Sequence, residues 1–174
     1  MISKKIEDAL NKQINEELYS AYLYMSMASH FDAANLPGFG NWMKTQAEEE
    51  MAHAYRFYHY INERGGRAIL GAIAAPPTEW ESPLKAFEDA LNHERHITAC
   101  INGLVDLAIA EKDHASNSML QWFVNEQVEE EATAEEILEK IKLVGDSGQA
   151  LYMLDKELGV RVPAMAAALA GGEE

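Results

Sequence analysis

The stretch GGRAILGAIAAPPTEWES, residues 65–82, decides the fold, because it lacks helical period and lies between long segments that have it. Gly65–Gly66 and the adjacent Pro76 and Pro77 exclude a helix through it. Upstream, apolar residues at three- and four-residue steps predict a first helix from an N-cap at about Ser3 to about Ala33. Asn35 to Gly38 break it, and Pro37 suits the start of a second helix that stops near Arg64. Downstream, Ser82 as N-cap and Pro83 at the first position open a third helix to about Lys112. Asp113 caps a fourth, to about Val144. After Gly145 comes a shorter fifth helix at about 148–158, then a tail, 159–174, ending in GGEE.

Connection length sets the topology. Helices one and two, and likewise three and four, are joined by a few residues, so each pair is an antiparallel hairpin. The 65–82 segment, at roughly 3.3 Å per extended residue, reaches about 55 Å. The second helix is about 40 Å long at 1.5 Å per residue. The segment can therefore cross the whole bundle. The prediction is an all-α protein: a four-helix bundle with one long crossover between helices two and three, plus a short fifth C-terminal helix. Length fits one domain over 1–174, with the bundle at about 3–145.

Composition narrows the class. Twenty-nine acids against 14 bases give a net charge of −15, which repels nucleic acid and anionic membrane and attracts cations. Cys100 is the sole cysteine, so no intramolecular disulfide forms. MISKKIEDALNK has no long apolar run of the kind a signal peptide carries, and AILGAIAAPP is too short to span a membrane. A cytoplasmic protein is expected.

The inward stripes carry the chemistry. Helix one reads Ile6, Leu10, Ile14, Glu17, Ala21, Tyr24, Ala28; helix two reads Phe39, Met43, Gln46, Glu50, His53, Phe57, Ile61. Helix three reads Leu84, Phe87, Leu91, Glu94, Ile97, Ile101, Leu104, Ala108; helix four reads Met119, Phe123, Gln127, Glu130, Ala134, Ile137, Ile141. Each is apolar at both ends with a glutamate near its centre. One such acid would reach solvent from the edge of a core face. Four at one height cannot stay charged in a core unless protons or cations neutralise them.

Carboxylates with one imidazole and no thiolate suit iron or manganese rather than structural zinc. Glu50 and His53, at i and i+3, can hold one ion from a single helical face. Symmetric di-iron bundles carry Glu-x-x-His on two helices. Here helix three has Ile97 at that position and helix four reads Gln127-x-x-Glu130. The expected site is lopsided: one ion with Glu17, Glu50 and His53, the other with Glu94 and Glu130, and Glu50 as bridge.

With these residues the chain resembles the prokaryotic haem-free ferritins over nearly its whole length. The resemblance rests on NEELYSAYLYMSMA (15–28), EEEMAHA (48–54), NHE (92–94) and WFVNEQVEEE (122–131). It implies a di-iron ferroxidase centre that oxidises Fe(II) with dioxygen or hydrogen peroxide. It also implies ferric storage inside a homo-oligomeric shell of 24 subunits in octahedral symmetry, with the fifth helix at the fourfold axes. It further implies a third iron site at Glu49, Glu126 and Glu129 with Glu130 shared, Tyr24 as an electron donor beside the centre, and Trp122 nearby. No haem is expected: the haem-binding relatives place a methionine where this chain has Ala52.

Blander readings stand beside these. Glu129 can equally be a surface residue, and Tyr24 a core aromatic bonded to a carboxylate. Glu48 and Glu131 read as exposed, and His59, His93, His96 and His114 as surface or interface groups. His30 falls in the last turns of helix one, where a cation suits the helix dipole. Tyr19, Tyr22, Trp42 and Tyr58 read as an aromatic outer face on helices one and two, more than a monomer needs. The competing functions are a di-iron peroxidase or oxygenase that keeps iron as a fixed cofactor, and a purely structural acidic bundle.

Overall fold

A computed structural model describes residues 1–162; the GGEE end of the chain lies outside the described residues. Over these residues the chain forms α1 (Lys4–Ala33), α2 (Pro37–Glu63), α3 (Pro83–Ala110), α4 (His114–Val144) and α5 (Gly148–Leu158). Four helices start on a side-chain cap of their own: Ser3, Ser82, Asp113 and Ser147 each accept from a backbone N–H in the first turn. The exception is α2, whose preceding residue is Leu36. Its cap comes from the far end of the sequence. Asp155 Oδ1 on α5 accepts from Gly38 N at 2.7 Å and Phe39 N at 3.1 Å, where a carboxylate also meets the positive end of the helix dipole. Only glycine permits this approach, since a Cβ on Gly38 would lie 1.6 Å from the Asp155 carbonyl oxygen.

The crossover runs the length of α1. Asn11 Nδ2 donates to Arg67 O and Asn11 Oδ1 accepts from Ile69 N, at 3.0 and 2.7 Å. Further along, Ser26 Oγ donates to Pro77 O at 2.5 Å, and Trp80 packs edge-on against His30. The chain thus leaves α2 beside the start of α1 and enters α3 beside its end, which makes α3 parallel to α2. Gly65, at φ +74°, lets α2 stop sharply before this turn.

Two apolar clusters fill the bundle ends. One contains Phe31, Phe39, Trp42 and Phe87 with Leu154 and Leu158 of α5. The other contains Ile6, Leu10, Phe57, Ile61, Ile97 and Phe123. The stripes hold with two exceptions: Leu84 and Met119 are only half-buried, and Ala86 and Leu120 are buried instead. On α4 the series 120, 123, 127, 130, 134 keeps the alternating three-four step, and 119 falls one position off it. Trp42 is not on an outer face either. It is 3% exposed, with its ring packed against Tyr24 of α1 and Phe87 of α3 and the Arg161 guanidinium over it. Tyr22 and Tyr58 are exposed as expected. Among the described residues no helix is long and apolar enough to cross a membrane.

Candidate metal centre

Between the two apolar clusters lies a buried polar belt. Glu17, Glu50, Glu94 and Glu130 come one from each of α1 to α4 and are all 7% exposed or less. His53 and Gln127 join them, both buried. The periodicity that buries Leu10 and Ile14 carries Glu17 inward at the next step, and the same holds on the other three helices.

His53 stands at the middle of the belt. Its Nδ1 is 3.4 Å from Glu50 Oε2 and 4.0 Å from Glu17 Oε2, and its Nε2 is 3.9 Å from Glu126 Oε1. Two groupings place ligand atoms within 4.8 Å of one another: Glu17, Glu50 and His53, and His53, Glu126 and Glu130. Trp122 and Phe123 pack edge-on against the imidazole. Glu94 belongs to neither grouping. Its Oε1 accepts from Tyr24 and its Oε2 from Gln127 Nε2, the latter at 3.2 Å.

Electrostatics disfavour four charged carboxylates in the belt. Burial, followed by the neighbouring Glu50 charge, pushes the Glu17 carboxyl well above its usual range. Glu50 rises for the same reason, then through Glu94 and Glu130. Glu130 is raised to about 7 by burial and Glu94, and burial also raises Glu94 and the Tyr24 phenol. Glu17 Oε2 is buried with no hydrogen-bond donor, although it faces His53. An orphaned carboxylate oxygen beside an imidazole and a second carboxylate is a ligand set for a hard cation, so iron fits the residues present.

The three outer acids differ. Glu49 is half-buried and contributes to raising Glu130, and Glu126 is half-buried beside His53. Glu129 is exposed and lies in neither grouping. Glu48 is exposed, and Glu131 is half-buried with Oε1 accepting from Thr98 at 2.5 Å. His93 is half-buried rather than open to solvent: it bonds Ser20 Oγ at 2.7 Å, packs against Tyr19 and Tyr24, and burial lowers its pKa to about 4.

Sequence reasoning gave no role to two amides. Gln13 donates to Glu17 Oε1 at 2.9 Å, and Gln46 donates to Glu130 Oε2 at 2.6 Å and to Glu50 Oε1 at 3.4 Å. Each glutamine precedes a belt glutamate by four residues, the one-turn spacing that could have flagged them.

Residues 7–144 match the ferritin-like domain family. The bacterial non-heme ferritin of Bacteroides fragilis is 48% identical over 161 residues, spanning 92% of this chain and all of that one. That of Staphylococcus saprophyticus is 45% identical, spanning 92% of this chain and 96% of the relative. The open pore ferritin of Archaeoglobus fulgidus superposes with a TM-score of 0.92 at 53% identity, over 93% of this chain and all of that one. Crossover topology and these similarities agree: the chain belongs to the ferritin family.

Proposed function

We propose that this chain stores iron, and that the belt is a ferroxidase centre whose substrates are Fe(II) and an oxidant, dioxygen or hydrogen peroxide. In this reading Glu17, Glu50 and His53 hold one ion, and Glu94 and Glu130 a second, with Glu50 between them. The observation that carries it is the Glu17 Oε2 atom, buried without a donor and aimed at His53.

When bound, the metal pair supplies two electrons, one from each Fe(II), and anionic oxygen ligands favour the ferric product. The chain's own residues set the rest. Gln13 and Gln46 hold the Glu17 and Glu130 carboxylates in place by one N–H each. Gln127, a neutral amide, leaves the second ion without an imidazole and so more weakly held, as a site that must release its product requires. Tyr24, bonded to Glu94, is positioned to supply a further electron and proton at its hydroxyl. Packing of Trp122 and Phe123 around His53 excludes water from the imidazole edge.

Glu49, Glu126 and Glu129, with Glu130 shared, form an outer third site in the same reading. A closed shell of 24 copies, retained in the cytoplasm, completes it. Exposed Tyr22 and Met25 on α1, with Ile69 and Leu70 on the crossover, supply apolar surface for contact between copies.

Titration of the metal-free protein with Fe(II) in air tests the reading. Storage predicts oxidation and soluble retention of far more iron than two equivalents per chain. Saturation near two indicates a fixed cofactor. Behaviour indistinguishable from buffer leaves only a structural bundle.

A further inference from the structure

The segment that follows α5 reaches back onto α2 in a fixed register. Asp155 caps the start of α2. One turn on, Asn41 Nδ2 donates to Gly159 O at 3.4 Å and to Arg161 O at 2.9 Å. The Arg161 guanidinium then lies over the Trp42 ring, 4.7 Å from its centroid. Its Nη1 donates to Gln46 Oε1 at 2.8 Å, and its Nη2 donates to Glu49 Oε2. Residues 38, 41, 42, 46 and 49 form one stripe of α2, so the contacts are a continuous line rather than a chance encounter of a long side chain.

The last two contacts matter most. Glu49 is an outer-site acid, and Gln46 donates to Glu130 and Glu50 of the belt. By taking the Gln46 carbonyl, Arg161 fixes the amide with its N–H groups toward those carboxylates. One guanidinium thus touches the outer acid and, through one amide, both shared ligands.

We propose that Arg161 is a tethered cation that occupies the outer site's Glu49 and must be displaced before a third metal ion can bind there. This rests on the outer-site reading given above. The inner ligands do not touch Arg161 directly, so the inner pair fills first and the outer site fills last. Stacking on Trp42 and the fork-shaped bond to Gln46 and Glu49 are features of arginine that lysine cannot reproduce. The pair is only partly shielded, with 24% and 20% side-chain exposure, so its grip is moderate and a multivalent ion can outcompete it.

The test is a terbium(III) titration of the full-length metal-free protein, followed by tryptophan-sensitised luminescence. Terbium is redox-inert, so binding is read without iron oxidation. Arg161→Gln is expected to tighten the weakest binding class by about fivefold to tenfold, leaving the tighter classes within about twofold. Arg161→Lys is expected to fall between the two. Adding Glu126→Gln to Arg161→Gln must abolish the tightened class, which assigns it to the outer site. If Arg161→Gln leaves that class unchanged while Glu126→Gln alone removes it, the outer site stands and the role of Arg161 is overturned. If neither chain shows a class that Glu126→Gln removes, the outer-site reading fails and the inference falls with it.

Discussion

At the two ends of the bundle, facing side chains agree with their surroundings: Phe31 against Phe39 and Phe87 at one, Phe57 stacked on Phe123 at the other. Across the middle they disagree. Four glutamates share a buried interior, and burial followed by one another's charge raises their pKa values. The ends therefore supply the stability, and the middle holds a destabilising charge cluster that protons or cations relieve. The difference teaches that this bundle spends its packing energy at both ends to keep a binding site rigid between them.

Phe57→Ala probes the ends and has the largest expected effect on stability. Phe57 is fully buried, with ring centroids 4.0 Å from Phe123. Truncation is expected to cost about 3–5 kcal/mol, read as a lower urea midpoint, with terbium stoichiometry unchanged. A cost below about 1 kcal/mol would show that the ends do not carry the fold.

Glu50→Gln probes the middle and should move activity and stability in opposite directions. Losing the carboxylate between both ions is expected to slow Fe(II) oxidation at least about a hundredfold. Removing one buried charge from a cluster of like charges is expected to raise the melting temperature of the metal-free protein. A variant that lost both would place Glu50 among the structural groups, and the contrast between ends and middle would collapse.

The same contrast explains what was legible in the sequence. Apolar stripes and caps are local signals, so the helices, the crossover and the mid-height glutamates could all be read from residue spacing. Trp42 could not: it is buried by contacts with Tyr24 and Phe87, which sit on two other helices. His93 escaped for a similar reason, since its partners Ser20, Tyr19 and Tyr24 all lie on α1. Arg161 had no sequence signal at all, because a lone arginine after a short helix has no spacing to test.

Acidity gives a third way to sharpen the comparison. A carboxyl whose folded pKa exceeds its unfolded value stabilises the fold fully below the unfolded value and loses that contribution as pH rises through the folded one. For Glu130 the window runs from about 4.5 to about 7, and Glu17 and Glu50 shift in the same direction. His93, lowered from 6.5 to about 4, opposes them, because its contribution is full above 6.5 and lost as pH falls through about 4. Four carboxyls, Glu94 among them, outweigh one imidazole. The melting temperature of protein held in chelator is therefore expected to fall by several degrees between pH 5 and pH 7.5. Excess zinc, added in place of chelator, should flatten the curve by binding the charged form. A flat curve in chelator would mean that water, not metal, already solvates the belt.

The smallest effect belongs to the rim, where solvent screens charge and the rule of the middle fades. Glu126 is half-buried with Oε1 3.9 Å from His53 Nε2, whereas Glu129 is exposed and outside both ligand groupings. Charge removal at an exposed site changes cation binding little, because water already competes for the ion there. In the terbium titration, Glu126→Gln should remove the outer class, whereas Glu129→Gln should weaken it by less than about threefold. Equal losses would mean that Glu129 turns inward once an ion arrives. The outer site would then be assembled by its ligand, unlike the inner belt, whose acids are already in place before any cation binds.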